Sequence, residues 1–161
     1  MSDKVLIVYY SHSGNTRTIA EAIQRQSGGT LCEILPVSAY PTAYDAVVEQ
    51  AKKEIQKGFH PELKSAPADV AAYDTVFVGS PNWWSTIAPP IATFLSGHDW
   101  SGKTVAPFCT HGGGGVGRVE RDIAGLCAGA RMESGLVVSG SGGSRAEALI
   151  ATWLRKLGVV R

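Results

Sequence analysis

Short apolar runs alternate along the chain with polar or glycine-rich turns, and most turns open into a stretch of helical periodicity. That alternation predicts a parallel sheet wrapped by helices, an α/β fold. The runs cover residues 4–10, 30–36, 75–79, 104–110 and 136–138. The first, third and fourth are near-continuous β-branched or aromatic stretches, as expected of strands buried on both faces.

Residues 16–26 place Ile19, Ala20 and Ile23 on one helical face and stop at Gly28 and Gly29. Residues 43–57 carry Val47, Val48, Ala51 and Ile55 at similar spacing and close on Gly58. Pro89 and Pro90 suit the first turn of a helix running through Ile91, Phe94 and Leu95 to Gly97. Two more helices are expected over 116–128, with Val119, Ile123 and Leu126 inward, and over 144–157, with Ala148, Leu149, Trp153 and Leu157 inward. Residues 59–68 hold Pro61, Pro67 and no clear period, and read as an irregular surface connection.

With 161 residues, 44% of them hydrophobic and 18% charged, the chain is expected to form one domain over 1–161. Its formal charge of +1 is scattered rather than blocked, which argues against nucleic acid or an anionic membrane as partner. The first apolar run is too short to span a bilayer, and the N-terminus lacks the pattern of a secretion signal, so the expected location is the cytoplasm. Cys32, Cys109 and Cys127 show no metal-ligand spacing and are expected to be buried thiols.

In an open parallel sheet the chemistry sits beyond the carboxyl ends of the strands, so the turns after the first, third and fourth runs are the candidates. The first, Ser11, His12, Ser13, Gly14, Asn15 and Thr16, joins a strand to a helix N-terminus. Its small residues let backbone N–H groups converge on an anion, to which the helix end adds partial positive charge. It lacks the Gly-Lys-Ser/Thr ending of a nucleoside-triphosphate loop, and the plainer alternative is that Ser13 caps the helix. The second turn sets Pro81, Asn82, Trp83 and Trp84 side by side, and adjacent indoles at a sheet mouth make walls for a flat ring. One of the pair is expected to pack as a core residue and the other to meet the ring, with the choice left open. The third, Thr110, His111, Gly112, Gly113 and Gly114, continues to Gly117 with so little side chain that a ligand can lie on the backbone. Gly112, Gly114 and Gly117 also satisfy Gly-x-Gly-x-x-Gly, with Glu133 placed where a dinucleotide site wants an acid. That competing reading is weakened because the fingerprint normally belongs to the first strand.

Three segments together resemble the flavodoxin family, in particular short bacterial flavodoxin-like proteins with a Pro-x-Trp-Trp turn. They are Tyr10-Ser11-His12-Ser13-Gly14-Asn15-Thr16, the stretch from Tyr73 to Trp84, and Phe108-Cys109-Thr110-His111-Gly112-Gly113-Gly114. The resemblance implies a doubly wound five-stranded parallel sheet of order 2-1-3-4-5 with helices on both faces. It also implies non-covalent FMN, with 11–16 at the phosphate, 81–84 flanking the isoalloxazine and 110–114 at its polar edge. The expected function is electron transfer through the flavin, with a redox protein or a small-molecule donor or acceptor as partner. The alternative is an FMN-dependent NAD(P)H or quinone oxidoreductase, and a third is a binding module of the same fold without flavin. Acidic flavodoxins dock on basic partners by charge, which this neutral chain is not built to do. The three loops hold no Asp or Glu, while His12, Arg17, His111 and Arg118 lie in or beside them. Such a site favours an anionic reduced flavin, and His111 near the ring is the group through which reduction would couple to pH. No Ser-His-Asp order, paired carboxylates or metal cluster points to hydrolysis.

Overall fold

The computed structural model describes residues 4–67 and 69–159. Met1 to Asp3, on which part of the reading of the N-terminus rests, Ala68 in the connection, and Val160 and Arg161 lie outside them.

The chain runs β1 (Val5–Tyr9), α1 (Asn15–Ser27), β2 (Thr30–Glu33), β3 (Leu35–Pro36), α2 (Tyr44–Lys57), β4 (Leu63–Ser65), β5 (Thr75–Pro81), α3 (Pro89–Ser96), β6 (Thr104–His111), α4 (Val119–Leu126), β7 (Arg131–Met132), β8 (Leu136–Ser139) and α5 (Ala146–Leu157). The main sheet is ordered β2-β1-β5-β6-β7, with β8 also on β6, and its pairings are parallel. The five expected runs thus appear in the order 2-1-3-4-5.

Alternation along the central strands divides the core between the two faces. Leu6, Val8, Val76, Val78, Val105 and Cys109 point to one side, where Val47 of α2, Ile91, Phe94 and Leu95 of α3, and Val119 and Ile123 of α4 cover them. Ile7, Tyr9, Phe77, Ala106 and Phe108 point to the other, under Ile19, Ala20 and Ile23 of α1 and Ile150, Trp153 and Leu154 of α5. Each layer removes its apolar surface from water only if the register holds, because a slip of one residue would exchange the faces. Gly79 is part of that register. It stands opposite Phe108, and a Cβ there would fall 2.2 Å from the Phe108 ring.

The structure departs from the expectations in several segments. The run 30–36 is broken at Ile34, and β3 turns away to pair antiparallel with β4 in a separate two-stranded sheet. Residues 59–68 therefore contain a strand, Leu63–Ser65, where an irregular connection was expected. In α5, Leu149 is 45% exposed and Ala148 also faces out, while Ala146, Ile150 and Leu154 are buried beside Trp153. A 3₁₀ turn at Gly143–Arg145 leads into the helix, which starts at Ala146 rather than 144. The fourth helix is shorter than expected, and β7 joins the β6 edge as an added strand. No helix among the described residues is long and apolar enough to cross a membrane.

Cys32 is only partly buried, whereas Cys109 and Cys127 are fully enclosed, and all three are free thiols. Burial pushes the Cys109 and Cys127 thiols from an ordinary 9.0 up to about 12. The folded chain then keeps protons that the unfolded chain releases, so their contribution is whole below about pH 9 and shrinks as pH rises toward about 12. Buried Tyr10 and Tyr40, also shifted upward, act in the same direction. The urea midpoint is expected to fall over this alkaline range, and less steeply in Cys127→Ala; a flat midpoint would contradict the assignment.

Candidate functional site

Because β1, β5 and β6 run parallel and adjacent, the loops leaving their carboxyl ends share one rim. A cavity of about 460 Å³ opens there, within the range of small-ligand sites. Its lining draws on all three loops: His12, Ser13, Asn15 and Thr16; Pro81, Asn82, Trp83 and Trp84; and Thr110, His111 and Gly112. Ser11, Gly14, Gly113 and Gly114 are not in the lining. Ser11 Oγ instead accepts the Gly14 N–H at 3.1 Å, which shapes the first loop from behind.

Helix α1 begins at Asn15 with Gly14 before it, and no side chain caps its N-terminus. Ser13 is therefore not the cap. The first-turn N–H groups, with the positive end of the helix dipole, stand beside cavity-lining Ser13, Asn15 and Thr16. The Thr16 hydroxyl is not available to a ligand in the same way, since it is buried and shares a 2.7 Å hydrogen bond with the Thr110 hydroxyl. That bond ties the first loop to the third.

The two tryptophans separate in their surroundings, although both line the cavity and Trp83 is only partly buried. Trp83 packs edge-on against Tyr10, Tyr40 and His12, with ring centroids 5.5, 5.0 and 6.0 Å away. Trp84 is 46% exposed, lies along α2, and donates its indole N–H to the Val48 carbonyl at 3.0 Å, with Lys52 Nζ 5.4 Å from its ring centre. The turn that spreads them is strained: Trp84 and Ser85 both have positive φ, 55° and 68°. Reciprocal Trp83 and Thr86 backbone bonds close it, and the Arg118 N–H donates to the Ser85 carbonyl at 2.6 Å.

Gly117 explains part of the glycine loop. Its φ is +53°, and a Cβ on it would meet the Ser85 backbone at 2.9 Å. The loop's last glycine thus serves contact between two protein segments, which accounts for its place in the Gly-x-Gly-x-x-Gly pattern without a dinucleotide. Asn82 adds a second clasp, its N–H donating to the Thr110 carbonyl and its side-chain amide to the Gly115 carbonyl, both at 2.8 Å. Its Oδ1 is buried and has no partner.

Among the described residues, no carboxylate lines the cavity. Arg17 is bonded to Glu33 and to Tyr9, so its charge is largely answered outside the lining, and Arg118 likewise stands off it. His12 donates from Nε2 to the Pro41 carbonyl at 2.7 Å. His111 Nδ1 accepts the Gly113 N–H at 3.0 Å, which leaves its hydrogen on Nε2. Sequence reasoning missed the fourth wall, formed by Tyr44, Val47, Val48 and Ala51 of α2. Their signal was the apolar stripe itself, which looks the same whether it covers a sheet or a cavity. Gly117→Ala is expected to cost about 1–3 kcal/mol in urea unfolding, because it overpacks the Ser85 turn in a conformation that disfavours a side chain. An unchanged midpoint would mean that the turn gives way freely.

The flavodoxin family model matches residues 4–157. A curated relative from Azorhizobium caulinodans, named NAD(P)H dehydrogenase (quinone), is 34% identical over 68% of this chain. The chain spans 59% of that relative's length. A flavoprotein structure from Bacteroides eggerthii is similar across 98% of this chain and 99% of its own, at 30% identity and a TM-score of 0.85. A flavoprotein in complex with FMN from Lactobacillus acidophilus shares the fold at 24% identity and a TM-score of 0.74, covering 94% of this chain and 99% of its own. With the sheet order, the rim of three loops and a family match over nearly its whole length, this chain belongs to the flavodoxin family.

Proposed function

We propose that the rim cavity holds one FMN and that the chain passes electrons through it. One observation carries this reading: an uncapped helix N-terminus and two tryptophans line a single cavity with no carboxylate among its described lining residues. Ser13, Asn15 and the first-turn N–H groups of α1 suit the phosphate, Thr16 contributing its backbone while its hydroxyl stays on Thr110. Trp83 and Trp84 supply apolar walls for the ring, and Thr110 to Gly112 face its polar edge. Bound FMN supplies one- and two-electron chemistry; the polypeptide supplies position and field.

The field is set by what is missing from the wall. Carboxylates near the ring would oppose negative charge arriving on reduction, and none of the described lining residues does so. The arginines beside the loops add less than their positions suggest, since Arg17 is committed to Glu33. His111 holds a hydrogen at Nε2 and is the lining group best placed to meet new negative charge.

A second reading is favoured by the α2 wall. Val47, Val48 and Ala51, with the exposed Trp84 indole, leave apolar surface suited to a flat uncharged substrate beside the flavin. The curated relatives named NAD(P)H dehydrogenase (quinone) support the same oxidoreductase alternative.

FMN added to the purified protein is expected to show a perturbed visible spectrum and quenched fluorescence; unchanged free-flavin signals would remove both readings. Anaerobic stopped-flow mixing of the loaded protein with NADPH then separates them, because rapid bleaching without a reductase belongs to the oxidoreductase. Redox titration should place the second-electron midpoint less negative than in flavodoxins with acidic sites. An equally low value would defeat the argument from the missing carboxylates.

A further inference from the structure

Behind the cavity wall, Trp83 does not end in inert packing. Its ring centroid is 5.0 Å from that of Tyr40 at an interplanar angle of 84°, and Tyr10 touches both rings, at 5.5 and 5.9 Å. Tyr40 is 7% exposed. Its phenol O–H donates to Glu54 Oε1, and the other carboxylate oxygen accepts the Gln50 side-chain amide at 2.9 Å. Gln50 and Glu54 stand one turn apart on α2, so the carboxylate is held toward the phenol. Glu54 is also part of the wall of a second cavity, of about 500 Å³, with Ile55, Phe59 and His60. A line of redox-capable side chains therefore runs from the first cavity to a proton acceptor at the edge of the second.

We infer that Trp83, Tyr40 and Glu54 form an oxidative relay, in which an electron lost from Trp83 is replaced from Tyr40 while the Tyr40 phenolic proton passes to Glu54. The chemistry requires this grouping. Oxidised tyrosine is a strong acid, and a buried phenol loses its electron readily only when a base already accepts its hydrogen bond. Of the two tyrosines on Trp83, Tyr40 is the one whose O–H donates to a carboxylate. A one-electron oxidant in the first cavity takes an electron from Trp83. Tyr40 then gives one electron to Trp83, its O–H bond breaks, and a new O–H bond forms at Glu54 Oε1. The products are restored Trp83, a neutral tyrosyl radical and a protonated Glu54. The oxidant is photoexcited oxidised flavin in the loaded protein, so the physiological use of the relay rests on the FMN reading, but its wiring does not.

That independence decides the experiment. Azidyl radicals generated by pulse radiolysis oxidise tryptophan in the flavin-free protein, where tryptophanyl absorbance is expected to decay as tyrosyl absorbance grows. Tyr40→Phe keeps the ring and loses the growth. Glu54→Gln keeps an acceptor for the phenol without a competent base, and slows the growth by about a hundredfold. Tyr73→Phe, away from this chain of rings, leaves it unchanged. Tyrosyl growth that persists in Tyr40→Phe, or is as fast in Glu54→Gln as in the parent, overturns the relay. Laser-flash excitation of the FMN-loaded protein is expected to reproduce the same dependence on Tyr40. Should FMN not bind, the azidyl result still decides the relay, and the failure falls on the proposed function alone.

Discussion

The parallel ladder joining β1, β5 and β6 sets the position of everything at the rim. Val5 to Tyr9 pair one to one with Thr75 to Gly79, and Thr75 to Pro81 with Thr104 to Thr110. Because Val76 and Val78 bury on one face and Phe77 on the other, the ladder cannot slip by one residue without exposing both layers. The height at which each loop leaves the sheet is thus fixed by burial in the core, well away from the cavity. The Asn82 N–H continues the ladder one step further onto the Thr110 carbonyl. The Thr16 and Thr110 hydroxyls then fasten the start of α1 to the same point.

A rim fixed in this way can hold a conformation that its own residues resist. Two consecutive non-glycine residues with positive φ cost free energy of the order of 1–3 kcal/mol each. At Trp84 and Ser85 the surroundings over-determine the turn: the Thr86 bridge, the Arg118 amide, the Gly117 contact and the indole bond to α2 all act on four residues. The result is that adjacent indoles face different surroundings, Trp83 against the aromatic cluster and Trp84 along the helix. An ordinary turn would give no reason for that division, and without it the cavity would lose one of its walls.

What the sequence revealed follows from how strongly each segment was constrained. The central strands were legible because strands buried on both faces need long apolar runs, and the three loops because glycine, serine and paired tryptophan are costly where they do no work. The β3 and β4 pair was hidden, since strands of two and three residues carry too little pattern and Pro36 and Pro61 argue against them. In α5 the stripe was read around Ala148 and Leu149, yet the sheet is met by Ala146, Ile150, Trp153 and Leu154. A helix with apolar residues over so wide an arc does not declare which edge of the arc will pack. The α2 wall, and the Tyr40 to Glu54 bond behind it, could not be anticipated, because residue 40 falls in a loop whose path depends on where β3 turns away.

The electrostatic character of the site is also a consequence of placement rather than of composition. A count of nearby cations made the loops look positive, but Arg17 on α1 pairs with Glu33 away from the cavity, and among the described residues the lining holds neither arginine, lysine nor carboxylate. Long-range attraction to an oppositely charged partner is therefore weak on both scales, over the whole chain and at the mouth. What the mouth offers instead is aromatic surface, with Tyr44 78% and Trp84 46% exposed beside the Val48 carbonyl. Contact there would gain free energy from apolar area removed from water rather than from charge pairing, and would keep its strength as salt is raised. On the proposed oxidoreductase reading, such a surface would suit a flat uncharged group lying against the indole.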